Sequence, residues 1–465
     1  MSRKQTQTDS ILYMGWHKAV LIVLVLSLCL LLGCDNLHDA GVTEPQQLPT
    51  FGTEASCPTE ETPSTEGSLP TETAEPTQTT GPTEPPVTEP LPTEPPTEST
   101  APLTESTVPP TEESTAPETI PPMQIQISPD RTEVLLIPKN AKAFNLRDLT
   151  RPLEYDIYNF KTVYQRLDTS VPVSLSVKIT NQPQGVEVTS IVFTLADNEA
   201  FTNGRTFRPE GNQNYVRVPY LLAGKQYYYR VCISFSDGTT EVLRSSFRTA
   251  AAPRLISIDG IVNVRDIGGW KTMDGSVIRQ GLLYRGSELD GAIVPEYKLT
   301  AEGLRQMREE LGIRTDMDLR YPAEIGTFTY PLGEDVTHIV YDARPYTAAF
   351  HGPGKTAVRN IFADLADPDK YPVYMHCTYG ADRAGTISFL LEALLGVSEE
   401  NLQREYELST MYHTWVDSYG YQTMVTELKT WEGETLQEKA ETFVLHCGVT
   451  PEQIAQIRDI LLERP

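Results

Sequence analysis

Residues 371–395 read YPVYMHCTYGADRAGTISFLLEALL. Residues 371–377 have the apolar composition of a short buried strand, and residues 385–395 have that of an apolar helix. Between them, residues 378–383 form a loop. In a strand–loop–helix unit, the loop N–H groups and the helix N-terminus face one spot and attract an anion. The stretch therefore predicts an α/β fold with an anion-binding loop.

Residues 376–383, called the cysteine loop below, have the form His-Cys-x-x-Gly-x-x-Arg. This form is the signature of the cysteine-dependent phosphatases, in which a cysteine attacks phosphorus as a thiolate that a helix N-terminus and a nearby arginine favour. We predict Cys377 as the nucleophile and Arg383 as the residue that binds two phosphate oxygens. Gly380 allows the tight bend of the loop, and His376 is predicted to orient the loop rather than to act as a base. The residues predicted to surround the phosphate are His376, Thr378, Tyr379, Gly380, Ala381, Asp382 and Arg383.

Three further motifs precede the cysteine loop: NVRDIGG at 263–269, LYRGS at 283–287 and DLR at 318–320. In this order the motifs resemble the atypical bacterial tyrosine phosphatase family, whose members carry Asn-Phe-Arg-Asp-Leu-Gly-Gly and His-Cys-x-x-Gly-Lys-Asp-Arg-Thr-Gly. Residues 448–462 also resemble the closing helix of that family. The resemblance covers about 212 of the 465 residues. It implies a phosphatase α/β fold and a two-step reaction through phosphocysteine, with no metal and no other cofactor.

The sequence departs from the family pattern at two positions of functional interest. Ala381 replaces a lysine that is associated with activity on phosphoinositides, which makes lipid phosphate a less favoured substrate. Ala384 replaces a threonine whose hydroxyl stabilises the leaving thiolate when phosphocysteine is hydrolysed. We therefore expect a slower second step unless Thr386 or Thr378 supplies this hydroxyl.

The general acid has three candidates. Asp382 lies in the cysteine loop, where the family places a functional aspartate, and it is the favoured one. Asp318 belongs to the DLR motif, and Asp342 follows a predicted strand 35 residues before the nucleophile. Each could instead be structural, as the partner of a neighbouring arginine such as Arg265, Arg320 or Arg344.

Several polar residues receive structural interpretations. Arg265 and Asp266 are predicted to form a buried ion pair that supports the cysteine loop, with direct phosphate contact as the lesser alternative. His413 and Trp415 are predicted to lie in the core. The dipeptide at 446–447 repeats His-Cys but lacks an arginine six residues later, and it is interpreted as packing.

The N-terminal quarter of the chain predicts export. Residues 1–33 have a basic start and a 14-residue largely apolar run that is short for a permanent membrane span. The run ends in LLGC, which resembles a bacterial lipobox and implies cleavage before Cys34 and lipidation of that cysteine. The alternative is an ordinary signal peptide or a short membrane anchor. Residues 34–122 follow as a predicted disordered stalk, because 55 of the 80 residues in 43–122 are Pro, Thr or Glu. We expect the mature chain to be lipid-anchored outside the cytoplasm, on the outer face of the bacterial cell membrane.

Residues 123–250 show strand-like alternation and predict an all-β sandwich of about seven strands. In 227–235 the odd-numbered residues share one face and the even-numbered ones the other. Residues 221–227, LLAGKQY, resemble the corner that leads into a central strand of fibronectin type III domains, where the tyrosine is structural. This region has no histidine and no metal-ligand spacing, which favours a spacer over a ligand-binding domain. The ligand of the alternative stays unknown.

The sequence as a whole predicts a multidomain chain that ends in an α/β cysteine-phosphatase domain at 251–465. Its net charge of −25 argues against nucleic acid as a partner. The predicted substrate is a phosphotyrosine peptide. The alternatives are another phosphomonoester, or a catalytically silent surface protein that only binds phosphate.

Overall fold

The computed structural model describes residues 121–151, 153, 168–326, 330–413, 416 and 418–465. Chain contacts divide the protein into two units, Met1–Val108 and Pro109–Pro465, and the described residues belong to the second. The predicted signal segment, Cys34, Trp415 and nearly all of the predicted stalk lie outside the described residues. Within the described part of the chain, no helix is long and apolar enough to cross a membrane.

The N-terminal part of this unit is rich in strands. They are β1 (Gln124–Ser128), β2 (Thr132–Val134), β3 (Val173–Thr180), β4 (Val188–Ala196), β5 (Arg205–Phe207), β6 (Tyr215–Val218), β7 (Gln226–Phe235) and β8 (Thr240–Thr249). They form one sheet in the order β1-β3-β6 and another in the order β2-β8-β7-β4-β5. Buried side chains from both sheets pack into one hydrophobic core.

Strand β7 has the two faces that its sequence predicts. Tyr229, Val231 and Ile233 are fully buried, whereas Arg230 between them is exposed. The Leu222 backbone N–H donates to the Tyr227 hydroxyl over 3.0 Å, which fixes the chain where it enters the strand. The strand-rich architecture follows from this alternation, while the assignment to the fibronectin type III class stays a prediction.

One helix in the N-terminal part packs on the C-terminal part instead. Helix α1 (Lys139–Asn145) buries Ala141 and Phe144 in the same core as the C-terminal helices. Just beyond it, the Arg147 guanidinium forms a buried ion pair with Glu407. The core of the C-terminal part therefore includes side chains from before residue 150.

The C-terminal part is built on a mixed sheet. Its strands are β9 (Arg254–Leu255), β10 (Arg265–Asp266), β12 (Leu283–Gly286), β13 (Thr315–Asp318), β14 (Thr337–Val340) and β15 (Val373–His376), while β11 (Val277–Ile278) and β16 (Leu462–Glu463) form a separate pair. The order in the sheet is β14-β13-β15-β12-β10-β9. The first four of these strands are parallel. Because β15 lies between β13 and β12, the loops after these three strands end close together.

Helices flank this sheet. They are α2 (Ala301–Arg305, continued by a π-helical turn, Gln306–Glu310), α3 (Pro322–Ile325), α4 (Gly352–Leu365), α5 (Arg383–Leu395), α6 (Glu399–Glu407), α7 (Ser418–Leu428), α8 (Leu436–Cys447) and α9 (Pro451–Leu461), with 3₁₀ turns at Tyr346–Phe350, Pro368–Lys370 and Leu408–Met411. Every residue of α5 is buried, as its apolar composition predicts. The α/β fold of this part is confirmed.

Candidate active site

The cysteine loop connects β15 to the N-terminus of α5. Cys377 follows the last residue of the strand and is only 1 % exposed. The helix begins at Arg383, with Asp382 immediately before it. Cys377, the candidate nucleophile, thus lies at the base of the loop, next to a helix N-terminus. A helix N-terminus binds anions and favours the thiolate form of a nearby cysteine.

Gly380 makes the bend of the loop. Its φ is +69°, in the left-handed region that favours glycine. A Cβ atom at this position would lie closer than 3.0 Å to the backbone of Gly286, at the end of β12. Only glycine therefore allows the loop to pass this close to the neighbouring strand.

Arg285 fixes the direction of two peptide groups in the loop. Its guanidinium Nη2 donates to the carbonyl oxygens of Gly380 and Ala381, at 2.8 and 3.2 Å. In a planar trans peptide the N–H points opposite to the carbonyl. The N–H groups of Ala381 and Asp382 therefore face away from Arg285, as an anion-binding loop requires.

Glu405 on α6 holds this arginine in place. It lies 2.7 Å from Arg285 and 2.6 Å from Arg265, and all three side chains are buried. The predicted ion pair between Arg265 and Asp266 is wrong, because adjacent residues of β10 point to opposite faces. Asp266 instead pairs with Arg254 at 2.6 Å. Arg265 is buried and reaches the loop through Asn263 and Glu405.

Two side chains hold a third loop carbonyl. Asn263 Nδ2 donates to the Tyr379 carbonyl oxygen over 3.0 Å, and His413 Nε2 lies 3.1 Å from the same oxygen. Arg265 Nη1 donates in turn to Asn263 Oδ1 over 2.7 Å. His413 is buried, as predicted, but it also contacts the loop, a role that its sequence position does not signal.

Arg383 is held by a residue that sequence reasoning missed. Its guanidinium forms an ion pair with Glu324 on α3, and Nη2 donates to Thr378 Oγ1 over 3.3 Å. The guanidinium also lies over the Tyr321 ring, 4.7 Å from its centroid. Burial opposes the charge, but Glu324 and the nearby Cys377 outweigh it and raise the pKa of Arg383. The arginine is thus kept charged and fixed next to Cys377.

His376 lies below the loop among acidic residues. Its Nε2 is 2.9 Å from Asp316 Oδ1, and its Nδ1 is 4.0 Å from Asp318 Oδ1. Burial favours the neutral ring, but these two carboxylates outweigh it and raise the pKa of His376. His376 therefore ties the end of β15 to β13, which fits its predicted orienting role.

This ion pair gives the protein a pH-dependent stability. Because the pKa of His376 is higher in the folded than in the unfolded state, the stabilisation is complete below about pH 6.5 and is lost as the pH rises through the folded pKa. We expect the loss of unfolding free energy caused by His376→Gln, measured by urea denaturation, to be larger at about pH 6 than at about pH 9. Equal losses at both pH values would contradict this assignment.

Two of the three general-acid candidates have structural partners. Asp318 is buried and bonds Arg320 at 2.7 Å, and Arg320 also bonds Glu288 at 2.7 Å. Asp342 pairs with Arg344 at 2.7 Å, and its side chain is 43 % exposed. Both pairs match the structural alternative that the sequence left open.

Asp382 differs from these two residues. Its carboxyl is partly buried in the cysteine loop and accepts a hydrogen bond from the Tyr346 hydroxyl. Burial raises the pKa of Asp382 and outweighs the effects of Tyr346 and Arg383. A carboxyl group that holds its proton more tightly is suited to general-acid catalysis.

The two residues that depart from the family pattern are buried. Ala381 and Ala384 have no exposed surface. The Thr386 hydroxyl donates to the Asp382 carbonyl and accepts from the Tyr346 N–H, whereas the Thr378 hydroxyl accepts from Arg383. Of the two threonines, Thr378 is thus the one that contacts Arg383.

The described residues contain no group of three or more His, Cys, Asp or Glu side chains arranged to hold a metal ion. Within the same residues Cys232, Cys377 and Cys447 are free thiols. Burial raises the pKa of Cys447 to about 12. The adjacent His446 packs on the Trp431 ring, at 4.9 Å between ring centroids, as a packing role predicts.

Comparison with known proteins finds a family match in the C-terminal part. Residues 256–463, slightly less than half of the chain, match the model of the tyrosine phosphatase family. This match supports the predicted cysteine-based phosphatase family. No curated protein matches the chain.

Several solved structures are similar to parts of the chain. The core catalytic domain of the PP-IP phosphatase Siw14 from S. cerevisiae, in complex with citrate, is 13 % identical, with a TM-score of 0.20 over 32 % of this chain and 93 % of that one. A second structure of the Siw14 catalytic core is 13 % identical, with a TM-score of 0.24 over 34 % and 85 %. Astrotactin-2, a vertebrate-specific perforin-like membrane protein, is 10 % identical, with a TM-score of 0.19 over 62 % and 36 %.

Proposed function

We propose that this chain is a protein tyrosine phosphatase that hydrolyses phosphate monoesters through a phosphocysteine on Cys377. The cysteine loop carries the proposal. It combines a buried cysteine below a helix N-terminus, backbone N–H groups directed by Arg285, and a fixed arginine at position 383. Together these groups can bind a phosphate and stabilise the charge of its transfer.

In the first step, the Cys377 thiolate attacks phosphorus and an S–P bond forms. The bond between phosphorus and the ester oxygen breaks at the same time. Asp382 gives its proton to that oxygen, so that the alcohol or phenol leaves neutral. Arg383 and the loop N–H groups stabilise the negative charge on the transferring phosphoryl oxygens.

In the second step, water attacks the phosphocysteine. An O–P bond forms, the S–P bond breaks, and Cys377 leaves as a thiolate. The Asp382 carboxylate accepts the proton from the water and is ready for another cycle. Inorganic phosphate is the product.

The depth of the nucleophile supports an aryl ester as the preferred substrate. Cys377 is 1 % exposed, so the ester must carry its phosphate down to the loop. Phosphotyrosine has a longer side chain than phosphoserine and reaches further. Ala381, which stands where the family has the lysine associated with phosphoinositide activity, further favours phosphotyrosine over lipid phosphate.

A phosphate-binding protein with little turnover is the second candidate. Ala384 lacks the hydroxyl that stabilises the leaving thiolate in the family, and the Thr386 hydroxyl is bonded to Asp382 and Tyr346. Stalled phosphocysteine would appear as a burst of released alcohol followed by slow turnover.

We also propose that the chain is exported and lipid-anchored through Cys34, with residues 34–122 as a stalk and residues 123–250 as a spacer. The signal-like segment 1–33 and the LLGC motif support this proposal. A Cys34→Ala variant should leave the membrane fraction of expressing cells. Retention of that variant in the membrane would contradict lipid anchoring.

Turnover by the full chain in excess EDTA tests the proposed activity. The substrates are p-nitrophenyl phosphate and two peptides that differ only in phosphotyrosine or phosphoserine. We expect hydrolysis of the aryl esters, with the phosphotyrosine peptide preferred. A burst without turnover would support the binding protein, and equal rates on both peptides would support a broad phosphomonoesterase.

A further inference from the structure

Tyr346 contacts the proposed general acid from the 3₁₀ turn Tyr346–Phe350, which is distant from it in sequence. Its hydroxyl donates to Asp382 Oδ1. The Tyr406 hydroxyl, on α6, lies 3.4 Å away and donates to the Tyr346 hydroxyl. The three groups form a chain of hydrogen bonds that ends on one oxygen of the carboxyl group.

The backbone of Tyr346 is tied to the same aspartate. Its N–H donates to Thr386 Oγ1 over 2.9 Å, and that hydroxyl donates to the Asp382 carbonyl over 2.8 Å. Tyr346 therefore reaches Asp382 twice, directly through its ring and through Thr386.

Tyr346 adopts a backbone conformation that is costly for its residue type. Its φ is +55°, in the left-handed region that a bulky side chain rarely adopts. Such strain persists where the surroundings determine the conformation, and it is concentrated at functional sites. Here the surroundings are the hydrogen bonds to Thr386 and Asp382.

Gly420 on α7 makes room for this arrangement. A Cβ atom there would lie closer than 3.0 Å to both the Tyr406 hydroxyl and the Tyr346 ring. The 3₁₀ turn that carries Tyr346, helix α6 and helix α7 thus pack closely enough for the two tyrosine hydroxyls to meet next to Asp382.

We propose that Tyr346 is a positioning residue for Asp382: its hydroxyl holds Oδ1, so that Oδ2 carries the proton given to the leaving oxygen. This inference rests on the proposed function. Tyr346 neither accepts nor gives up a proton, and it keeps its own hydroxyl hydrogen throughout the reaction. The charged groups near the carboxyl are Arg383 and Arg285, and neither replaces this hydrogen bond.

The dependence of rate on the leaving group tests the proposal. A poor leaving group such as phenol needs a proton from the general acid, whereas p-nitrophenol leaves readily without one. For Tyr346→Phe we expect kcat/KM on phenyl phosphate to fall by roughly tenfold to hundredfold, which is the effect of losing one hydrogen bond to a charged group. The fall on p-nitrophenyl phosphate should be much smaller. Asp382→Asn should show the same selectivity with a larger loss, and the double variant should lose little more than Asp382→Asn alone.

Tyr371→Phe is the matched control. It also removes a buried tyrosine hydroxyl, which donates to the Leu365 carbonyl over 2.7 Å and does not contact the loop. We expect this control to leave both rates unchanged. An equal loss on both esters for Tyr346→Phe, or no loss, would overturn the positioning role.

The outcomes separate the inference from the function on which it rests. If wild type and Asp382→Asn behave as expected but Tyr346→Phe matches wild type, only the role of Tyr346 is overturned. If Cys377→Ser hydrolyses both esters as fast as wild type, the proposed function and the inference are both overturned. Urea denaturation of each variant shows whether a uniform loss comes from unfolding.

Discussion

Replacing Arg383 with lysine is expected to lower kcat/KM for a phosphotyrosine peptide by about 10²–10³-fold, the effect of removing one strong transition-state donor. Lysine keeps the positive charge but cannot present two parallel N–H donors to phosphate oxygens. It also cannot keep the guanidinium contacts to Glu324 and to the Tyr321 ring. The measurement is steady-state turnover of the full chain.

Arg305→Lys serves as the control for this change. Arg305 lies on α2, has a side chain that is 40 % exposed and pairs with Glu302 at 2.8 Å. The same chemical substitution there should leave kcat/KM unchanged. If Arg383→Lys retains wild-type kcat/KM, position 383 does not bind the transferring phosphoryl group.

Gly380→Ala is expected to abolish measurable activity and to destabilise the fold. The added methyl group meets the backbone of Gly286 at less than 3.0 Å, and neither backbone can move without disturbing β12 or the cysteine loop. The left-handed φ of +69° adds a cost of about 1–2 kcal/mol for alanine. Activity and unfolding in urea are measured on the same preparation.

Gly312→Ala isolates the conformational cost. Its φ is +66°, close to that of Gly380, but a Cβ atom there has nothing within 4 Å. This control should lose about 1–2 kcal/mol of unfolding free energy and keep full activity. Equal effects of the two substitutions would show that the close approach to Gly286 does not shape the loop.

The sequence predicts those parts of the protein that depend on neighbours along the chain. The alternation in 227–235 and the apolar composition of 385–395 are local signals, and the structure has β7 and α5 there. The cysteine loop is equally local, because its residues lie between one strand and one helix. These features could be placed without knowledge of the tertiary contacts.

The supports of the loop depend on tertiary contacts that no local pattern reveals. Glu324 and Tyr346 lie 59 and 36 residues before their partners, and neither stands in a motif that signals the contact. Arg265 and Asp266 are adjacent in sequence, which suggested a pair, but the strand directs them to different partners. Two buried residues that are adjacent in a strand point to opposite faces of the sheet and therefore need not contact each other.

The packing of α1 shows the same limit at a larger scale. Phe144 lies within the strand-rich half of the sequence but belongs to the core around α5. Arg147 and Glu407, which pair across this contact, are 260 residues apart. Neither the composition of the sequence nor its hydrophobic periodicity predicts such a long-range contact.

Direct capture of the phosphoenzyme tests the central claim that Cys377 is the nucleophile. The full chain is mixed with p-nitrophenyl phosphate in excess EDTA, quenched in acid within the first turnovers, digested and examined by mass spectrometry. We expect one phosphoryl group on the peptide that contains Cys377, and neither this adduct nor turnover in Cys377→Ser. Turnover without the adduct, together with activity in Cys377→Ser, would contradict the phosphocysteine mechanism.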